Sequence, residues 1–195
     1  MAEIVEGREL TKGNAIQLNT HRTQGRNNAV SNELERIRRA AKQNKGIKFT
    51  ALMHHITIDR LRNAFLAVKR NAAPGVDGET WASYELCLEE NLKNLHQKVQ
   101  NGGYRAKPSR RVYILKADGR LRPLGVAAME DKILQRAVTE VLNAIYETDF
   151  LGFSYGYRPK RSPHQALDAL ACGIKWKKIC WILDADISGF FDHSS

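Results

Sequence analysis

The stretch ICWILDADISGFFD, residues 179–192, runs from an apolar segment into three aspartates, Asp184, Asp186 and Asp192. Its apolar start predicts a β-strand over 179–187. Side chains alternate across a strand, so Asp184 and Asp186 fall on one face. A carboxylate at the end of a buried strand needs compensation, because an unpaired buried charge is costly. A bound Mg²⁺ supplies it, and so do pairing with an arginine and capping of backbone N–H groups. Mg²⁺ takes one or two protein carboxylates and shares its other positions with water and phosphate. Two-metal phosphoryl-transfer sites use such carboxylates to clamp the attacking and leaving oxygens.

Upstream lies the loop FSYGYRPKRS, residues 153–162, where Tyr155 and Tyr157 interleave with Arg158, Lys160 and Arg161. Aromatic faces that stack on bases, with cations on the backbone, are a common means of holding single-stranded nucleic acid. Tyrosines packed beneath their own loop give the same pattern. Ser162-Pro163 starts a helix, with a cap followed by proline at the first helical position. Before the loop, MEDKILQRAVTEVLNAIYETDF predicts a long helix with Ile133, Ala137, Val141 and Ile145 inward.

Before that helix, SRRVYILKADGRLRPLGVAA reads as a hairpin. Val112 and Ile114 alternate with Tyr113 and Leu115. Residues 117–120 form the turn, and Pro123 confines the return strand to an edge or a strand end. Lys116 and Arg122 flank the turn and can project toward one phosphate group, as cations that neutralise a transferring phosphoryl group do. An exposed basic pair beside a turn is the plain alternative.

The first 72 residues are basic, and helices are expected in them only from residue 31 onward. Residues 1–30 show no periodicity and are expected to form a mobile arm. A helix is expected from Ser31 or Asn32 to Gly46, with Glu35 three residues after Asn32 in a capping-box arrangement. Arg36, Arg38, Arg39 and Lys42 form its basic face, which either contacts RNA or is simply solvated. Residues 57–73 predict a second helix, capped by Thr57, with Ile58, Leu61, Phe65 and Val68 in one stripe. After a Pro74-Gly75 and Asp77-Gly78 loop, residues 81–100 predict a third. Its stripe is Leu88, Leu92, Leu95 and Val99, closed by Gly102-Gly103.

Net charge narrows the partners. The 195 residues carry +10, and residues 1–72 hold 14 Lys and Arg against 6 Asp and Glu, leaving +2 for the remainder. A basic excess concentrated in one region points to a polyanion, most often nucleic acid. Three scattered cysteines, Cys87, Cys172 and Cys180, support neither a disulfide framework nor a zinc knuckle. A reducing, cytoplasmic compartment fits. The acidic start MAEIVEGREL lacks the apolar region of a signal peptide, and no apolar run has membrane-spanning length.

In their order along the chain, KFTALMHHITIDRLRNAFLAVKRNAAPGVDGETW, YILKADGRLRPLGVAAMEDKILQRAV, FSYGYRPKRSPHQAL and DADISGFFD resemble group II intron reverse transcriptases, the intron-encoded maturases. The resemblance spans about residues 31–193 and several motifs rather than one. It implies that Asp186 is the first catalytic aspartate of a polymerase palm and binds both metals. The Ile187 carbonyl would be a further ligand to Mg²⁺. Phe191 would lie under the incoming sugar and disfavour a 2′-hydroxyl. Lys116 and Arg122 would hold the triphosphate. Arg158, Lys160 and Arg161 would contact the template, and the basic N-terminal helices, with Arg36, Arg38 and Arg39, would grip template and intron RNA. Asp184 falls outside the family's catalytic set.

The implied fold is α/β, with a mobile basic arm at 1–30 and a helical extension at 31–72. Fingers with an antiparallel hairpin follow at 73–161, and the first strand of an incomplete palm at 162–195. The family's second acidic motif, a Tyr-Ala-Asp-Asp box, is absent, which suggests a truncated and catalytically incomplete RNA-directed DNA polymerase. Whether this chain is itself an enzyme is left open on that ground. The complete enzyme would use a DNA primer, dNTPs and Mg²⁺, with no membrane partner. The alternative is an RNA-binding, maturase-like module that assists splicing without DNA synthesis. A metal-dependent nuclease lacks a second acidic motif to accompany Asp186.

Overall fold

Ile58, Leu61, Ala64 and Phe65 recur at helical spacing and form one buried or half-buried face of a helix. The structure, a computed structural model, describes residues 21–187 apart from 116, 118, 178 and 180, with side chains from residue 32 onward. The elements in order are α1 (His21–Gln43), a short 3₁₀ turn (Met53–His55), α2 (Ile58–Ala67), α3 (Trp81–Leu86), α4 (Leu88–Gln100), β1 (Arg110–Leu115), β2 (Leu121–Val126), α5 (Met129–Tyr146) and α6 (Pro163–Trp176). The chain divides into two units, Met1–Ile145 and Tyr146–Ser195. The expected fingers boundary lay between 161 and 162. The expected helical extension at 31–72 and the segment after it share one core in the first unit.

That core is built around α2. Thr57 caps the helix by accepting a hydrogen bond from the Arg60 amide at 3.2 Å, which satisfies one of the free N–H groups at a helix start. Phe65 stacks on Trp81, with ring centroids 4.6 Å apart, and lies 5.6 Å from Tyr84. The indole Nε1 of Trp81 donates to the Phe65 carbonyl at 3.3 Å. Offset aromatic pairs of this kind add to the stabilisation that area burial gives. Leu92, Leu95 and Val99 of α4 and Met129, Ile133, Ala137, Val141 and Ala144 of α5 complete the cluster. Gln100 of α4 donates to the Met53 and Ile56 carbonyls, closing the polar edge of the 3₁₀ turn.

Arg60 is fully buried within this unit. Its Nε donates to the His55 carbonyl at 2.7 Å, and its Nη1 lies 3.6 Å from Glu140. Burial lowers its pKa, and Glu140 and Glu33 oppose the shift. A buried guanidinium of this kind is retained only because a carboxylate offsets part of its desolvation.

The helices depart from expectation in three places. First, α1 begins by His21, about ten residues ahead of the expected start, so residues 21–30 are helical rather than an irregular arm; residues 1–20 lie outside the described residues. No proline interrupts 21–43, and Leu34, Ile37 and Ala41 dock the helix on the core. Once docked, each upstream residue adds a hydrogen bond for one residue fixed. Second, α2 ends at Ala67, because Val68 adopts extended backbone. Third, the expected helix at 81–100 breaks at Cys87, whose φ of −120° and ψ of 35° lie off the helical region. The break lets Trp81 and Tyr84 face the aromatic cluster while Leu92, Leu95 and Val99 keep their own stripe inward. The Asn91 side chain donates to the Tyr84 carbonyl at 3.2 Å and so satisfies a group that the break leaves free.

β1 and β2 form the two-stranded antiparallel sheet, which with the helices makes the fold α/β in the expected sense. Most hairpin side chains are exposed on both faces. The expected strand at 179–187 does not pair: residues 181–187 have no regular secondary structure. An apolar segment becomes a strand only where a neighbour accepts its N–H and C=O groups, and none among the described residues does.

In the second unit, Ser162 caps α6 by accepting from the Gln165 amide at 3.3 Å, and Gln165 returns a bond to the Ser162 amide. Proline occupies the first helical turn, as the sequence predicts. No described residue of 147–187 is buried.

Candidate functional site

The hairpin positions Arg122 through its register. Ile114 lies opposite Arg122, Val112 opposite Leu124 and Arg110 opposite Val126. Directly opposed residues share a face, so Arg122 lies on the same side as Ile114, Val112 and Arg110. Arg122 is exposed. Lys116 lies outside the described residues, so the expected Lys116–Arg122 pair is represented by its second member. Gly119, with φ of +79°, takes the left-handed conformation that the turn requires.

The base of the hairpin is held by the 73–75 loop. Arg110 Nε donates to the Pro74 carbonyl at 3.0 Å, and Lys132 Nζ donates to the Ala73 carbonyl at 2.5 Å. Gly75 sits against the backbone of Ala128, where an added Cβ would come within 2.5 Å of the Ala128 Cα. Asp77 in the same loop accepts from Lys107 Nζ at 3.0 Å. Burial raises the Asp77 pKa, but the bonds from Lys107 and the Glu79 amide outweigh it and hold the carboxyl below its usual value. Nearby, buried Asp131 accepts from the Tyr104 hydroxyl and from the Lys107 amide. Burial and the Asp131 carboxylate push the Tyr104 phenol pKa up. These bonds hold the base of the hairpin, and Arg122 near its turn stays exposed.

In the second unit the loop cations separate into two kinds. Arg158 turns inward. Its guanidinium contacts Glu147 at 3.0 Å and donates to the Leu151 and Ser154 carbonyls at 2.9 and 2.8 Å. It also lies 4.8 Å from the centroid of the Phe150 ring, and only 7% of its side chain is exposed. With four of its five N–H donors engaged, this guanidinium is largely committed to its own loop. Lys160 and Arg161 are exposed, and Arg161 sits over the Tyr155 ring at 5.2 Å. Tyr157 projects fully into solvent with φ of +56°. The sequence carried one signal of this division, the acidic Glu147 within reach of Arg158.

Asp184, Asp186 and Ile187 are exposed on the unpaired 181–187 segment, while Phe191 lies outside the described residues. No group of three or more His, Cys, Asp or Glu side chains able to hold a metal ion occurs among the described residues. The donors here are the Asp186 carboxylate and the Ile187 carbonyl, which fill a minority of a divalent ion's coordination positions. By themselves they do not make a complete metal holder.

On α1, Arg36, Arg38 and Arg39 are exposed, and Arg38 pairs with Glu35 at 2.5 Å. The sequence reading passed over a groove of about 520 Å³ between α1 and residues 48–55, bordered by Arg36, Lys48, His54 and His55. Its residues come from two segments that only the fold brings together, so no spacing in the sequence announces it. No helix of the described residues is long and apolar enough to cross a membrane.

Residues 114–193, which include Arg122 and Asp186, match the family model described as "Reverse transcriptase (RNA-dependent DNA polymerase)". Polymerases of this class use a divalent metal. The chain is 33% identical over 162 residues to the group II intron-encoded protein LtrA of Lactococcus lactis subsp. cremoris, an alignment covering 82% of this chain and 27% of that protein. It is 39% identical over 132 residues to Protein YkfC of Escherichia coli (strain K12), covering 65% of this chain and 34% of that protein. An uncharacterized 91 kDa protein in the cob intron of Schizosaccharomyces pombe is 36% identical over 101 residues, covering 52% and 12%. The chain is thus similar to reverse transcriptases over residues 114–193 and to a group II intron-encoded protein over 82% of its own length. It spans about a third or less of the length of these relatives.

Proposed function

We propose that this chain carries the nucleotide-handling and template-handling part of an RNA-directed DNA polymerase of group II intron type. The observation that carries the reading is the family match over 114–193, which takes in both Arg122 and Asp186. Arg122, exposed on an anchored hairpin, and Lys116 beside the turn hold the triphosphate of an incoming dNTP by charge. Asp186 and the Ile187 carbonyl contribute to holding Mg²⁺, with further donors supplied from outside the described residues. The ion would neutralise charge on the phosphate undergoing transfer. Phe191 lies under the sugar. Arg36, Arg38, Arg39, Lys160 and Arg161 contact template and intron RNA, and Arg158 shapes the loop that presents the last two. The cytoplasm is the proposed compartment.

Primer extension tests the division of labour. Nucleotide addition needs metals clamped between carboxylates of two motifs, and the 195 residues supply one of them. The 195-residue polypeptide alone is expected to give no extension of a DNA primer on an RNA template with dNTPs and either Mg²⁺ or Mn²⁺. Extension that disappears in Asp186→Ala would show that the missing carboxylates come from a second chain or an unassigned site.

A second reading, an RNA-binding module that assists splicing without DNA synthesis, is favoured by the basic excess before residue 73 and the outward arginines of α1. Each phosphate contact steepens the salt dependence of binding, by a slope of about −0.7 per contact on single strands. Binding to structured RNA is therefore expected to weaken with salt and on changing Arg36, Arg38 and Arg39 together to Ala. Unchanged affinity in that triple variant would reduce the helix to a solvated face.

A further inference from the structure

The groove between α1 and residues 48–55 combines features that no single simple ligand class explains. Its volume of about 520 Å³ lies within the range of small-molecule sites. Its floor is apolar: Ile37 is buried, and Phe49 and Leu52 pack half-buried against the core. Its rim is cationic. Arg36 and Lys48 both border it and are exposed, and neither makes an ion pair among the described residues. His54 is also exposed at the rim, with its ring 3.8 Å from that of His55. Glu33 is the one carboxylate of the lining, 3.9 Å from His55 Nδ1.

A purely apolar ligand would leave two cations unused, and a free phosphate would leave the apolar floor uncovered. A nucleotide meets both. Its phosphate suits the guanidinium and ammonium, and its base presents a flat face to aromatic and imidazole rings. The size admits one such unit. The base must be unpaired, since a base within a duplex keeps its faces stacked on its neighbours.

We propose that this groove receives one unpaired nucleotide of a bound RNA strand, with its phosphate against Arg36 and Lys48 and its base against Phe49 and His54. The proposal rests on the RNA-binding reading above and deepens it, because it names the feature of RNA that the first unit recognises. Arg38 and Arg39 on the same helix lie outside the groove lining, so they contact backbone whether the strand is paired or not.

Fluorescence anisotropy with the full chain separates these roles. The probes are a short single-stranded RNA and a blunt duplex of the same sequence, both end-labelled. The variants are Lys48→Ala and His54→Ala, two exposed positions whose change leaves the core intact, with far-ultraviolet circular dichroism as the check of folding. Each variant is expected to weaken binding of the single strand by about five- to ten-fold. Duplex binding should stay unchanged. Changing Arg38 and Arg39 together to Ala should weaken both. Equal losses on both probes, or no loss on either, would overturn the groove while leaving general RNA binding intact. Absence of RNA binding by the unaltered chain would overturn the RNA reading itself, and the groove with it.

Discussion

α5 and α6 are both amphipathic helices, yet their apolar faces meet different fates. In the first unit, Met129, Ile133, Ala137 and Val141 of α5 are buried against α2 and α4 residues. In the second, Leu167, Leu170 and Ile174 of α6 are 61%, 41% and 45% exposed, and Trp181 and Leu183 beyond it are each 91% exposed. The periodicity is equally good in the two helices. A stripe at helical spacing states which face needs cover and says nothing about whether the cover is present. The first unit therefore has a core of its own. The second holds its shape through a capped helix and the polar grip of Arg158.

The largest expected effect breaks the packed side of this contrast. Phe65→Ala removes a fully buried ring that stacks on Trp81. It should cost about 3–5 kcal/mol in chemical denaturation. Leu170→Ala on α6 should cost less than about 1 kcal/mol, within the range of surface changes. Equal costs would mean that the second unit is packed as tightly as the first.

Gly75→Ala comes next. The added methyl would meet backbone atoms of Ala128 at 2.5 and 2.7 Å, and backbone cannot step aside as a side chain can. A loss of about 1–3 kcal/mol is expected. Because the same loop carries the Pro74 carbonyl that anchors Arg110, amide chemical shifts along β1 and β2 should move as well. A variant of unaltered stability and shifts would show that the loop does not set the hairpin.

A smaller effect sharpens the polar side. Arg158→Lys keeps the charge but loses the planar fork that serves Glu147 and two carbonyls at once. Proteolysis within 147–161 should quicken, with the melting of the first unit unchanged. Unaltered cleavage would show that the loop does not depend on this residue.

The smallest effect is on pH dependence. Burial, with the neighbouring His54 and Arg60, lowers the pKa of His55 below 6.5, and Glu33 opposes the shift. A histidine whose folded pKa lies below its unfolded value takes up a proton on unfolding. Its contribution is therefore fully present above pH 6.5 and lost as pH falls from there to the folded value. Stability of the first unit should decline through that window, and His55→Gln should flatten the decline. An unchanged slope in the variant would assign the effect elsewhere.

The legible parts of the fold were those set by local chemistry. The Thr57 and Ser162 caps, the stripes of α2, α4 and α5, and the hairpin all follow from neighbouring residues. The break at Cys87 was not legible, because it arises from Trp81 and Tyr84 packing on Phe65, a contact made across 16 residues. Residues 179–187 read as a strand, yet 181–187 are unpaired among the described residues, because a strand depends on its neighbour as much as on its own sequence. At the site, Arg122 and the α1 arginines were visible as exposed cations. Arg158 could not be told from its neighbours in RPKRS, since only the fold surrounds it with Glu147 and two carbonyls. The groove with Lys48 and His54 required two segments to meet.

Amide hydrogen exchange of the full chain tests the central claim most directly, that a self-sufficient core ends with the first unit. Protection reports local opening, and buried helices should open only with global unfolding. The amides of α2, α4 and the part of α5 before Tyr146 are predicted to exchange slowest and together. Those of α6 and residues 181–187 are predicted to exchange orders of magnitude faster. Protection in 163–187 equal to that of α2 would contradict the account, because it would require a core in the second unit that the exposure of Trp181 and Leu183 denies.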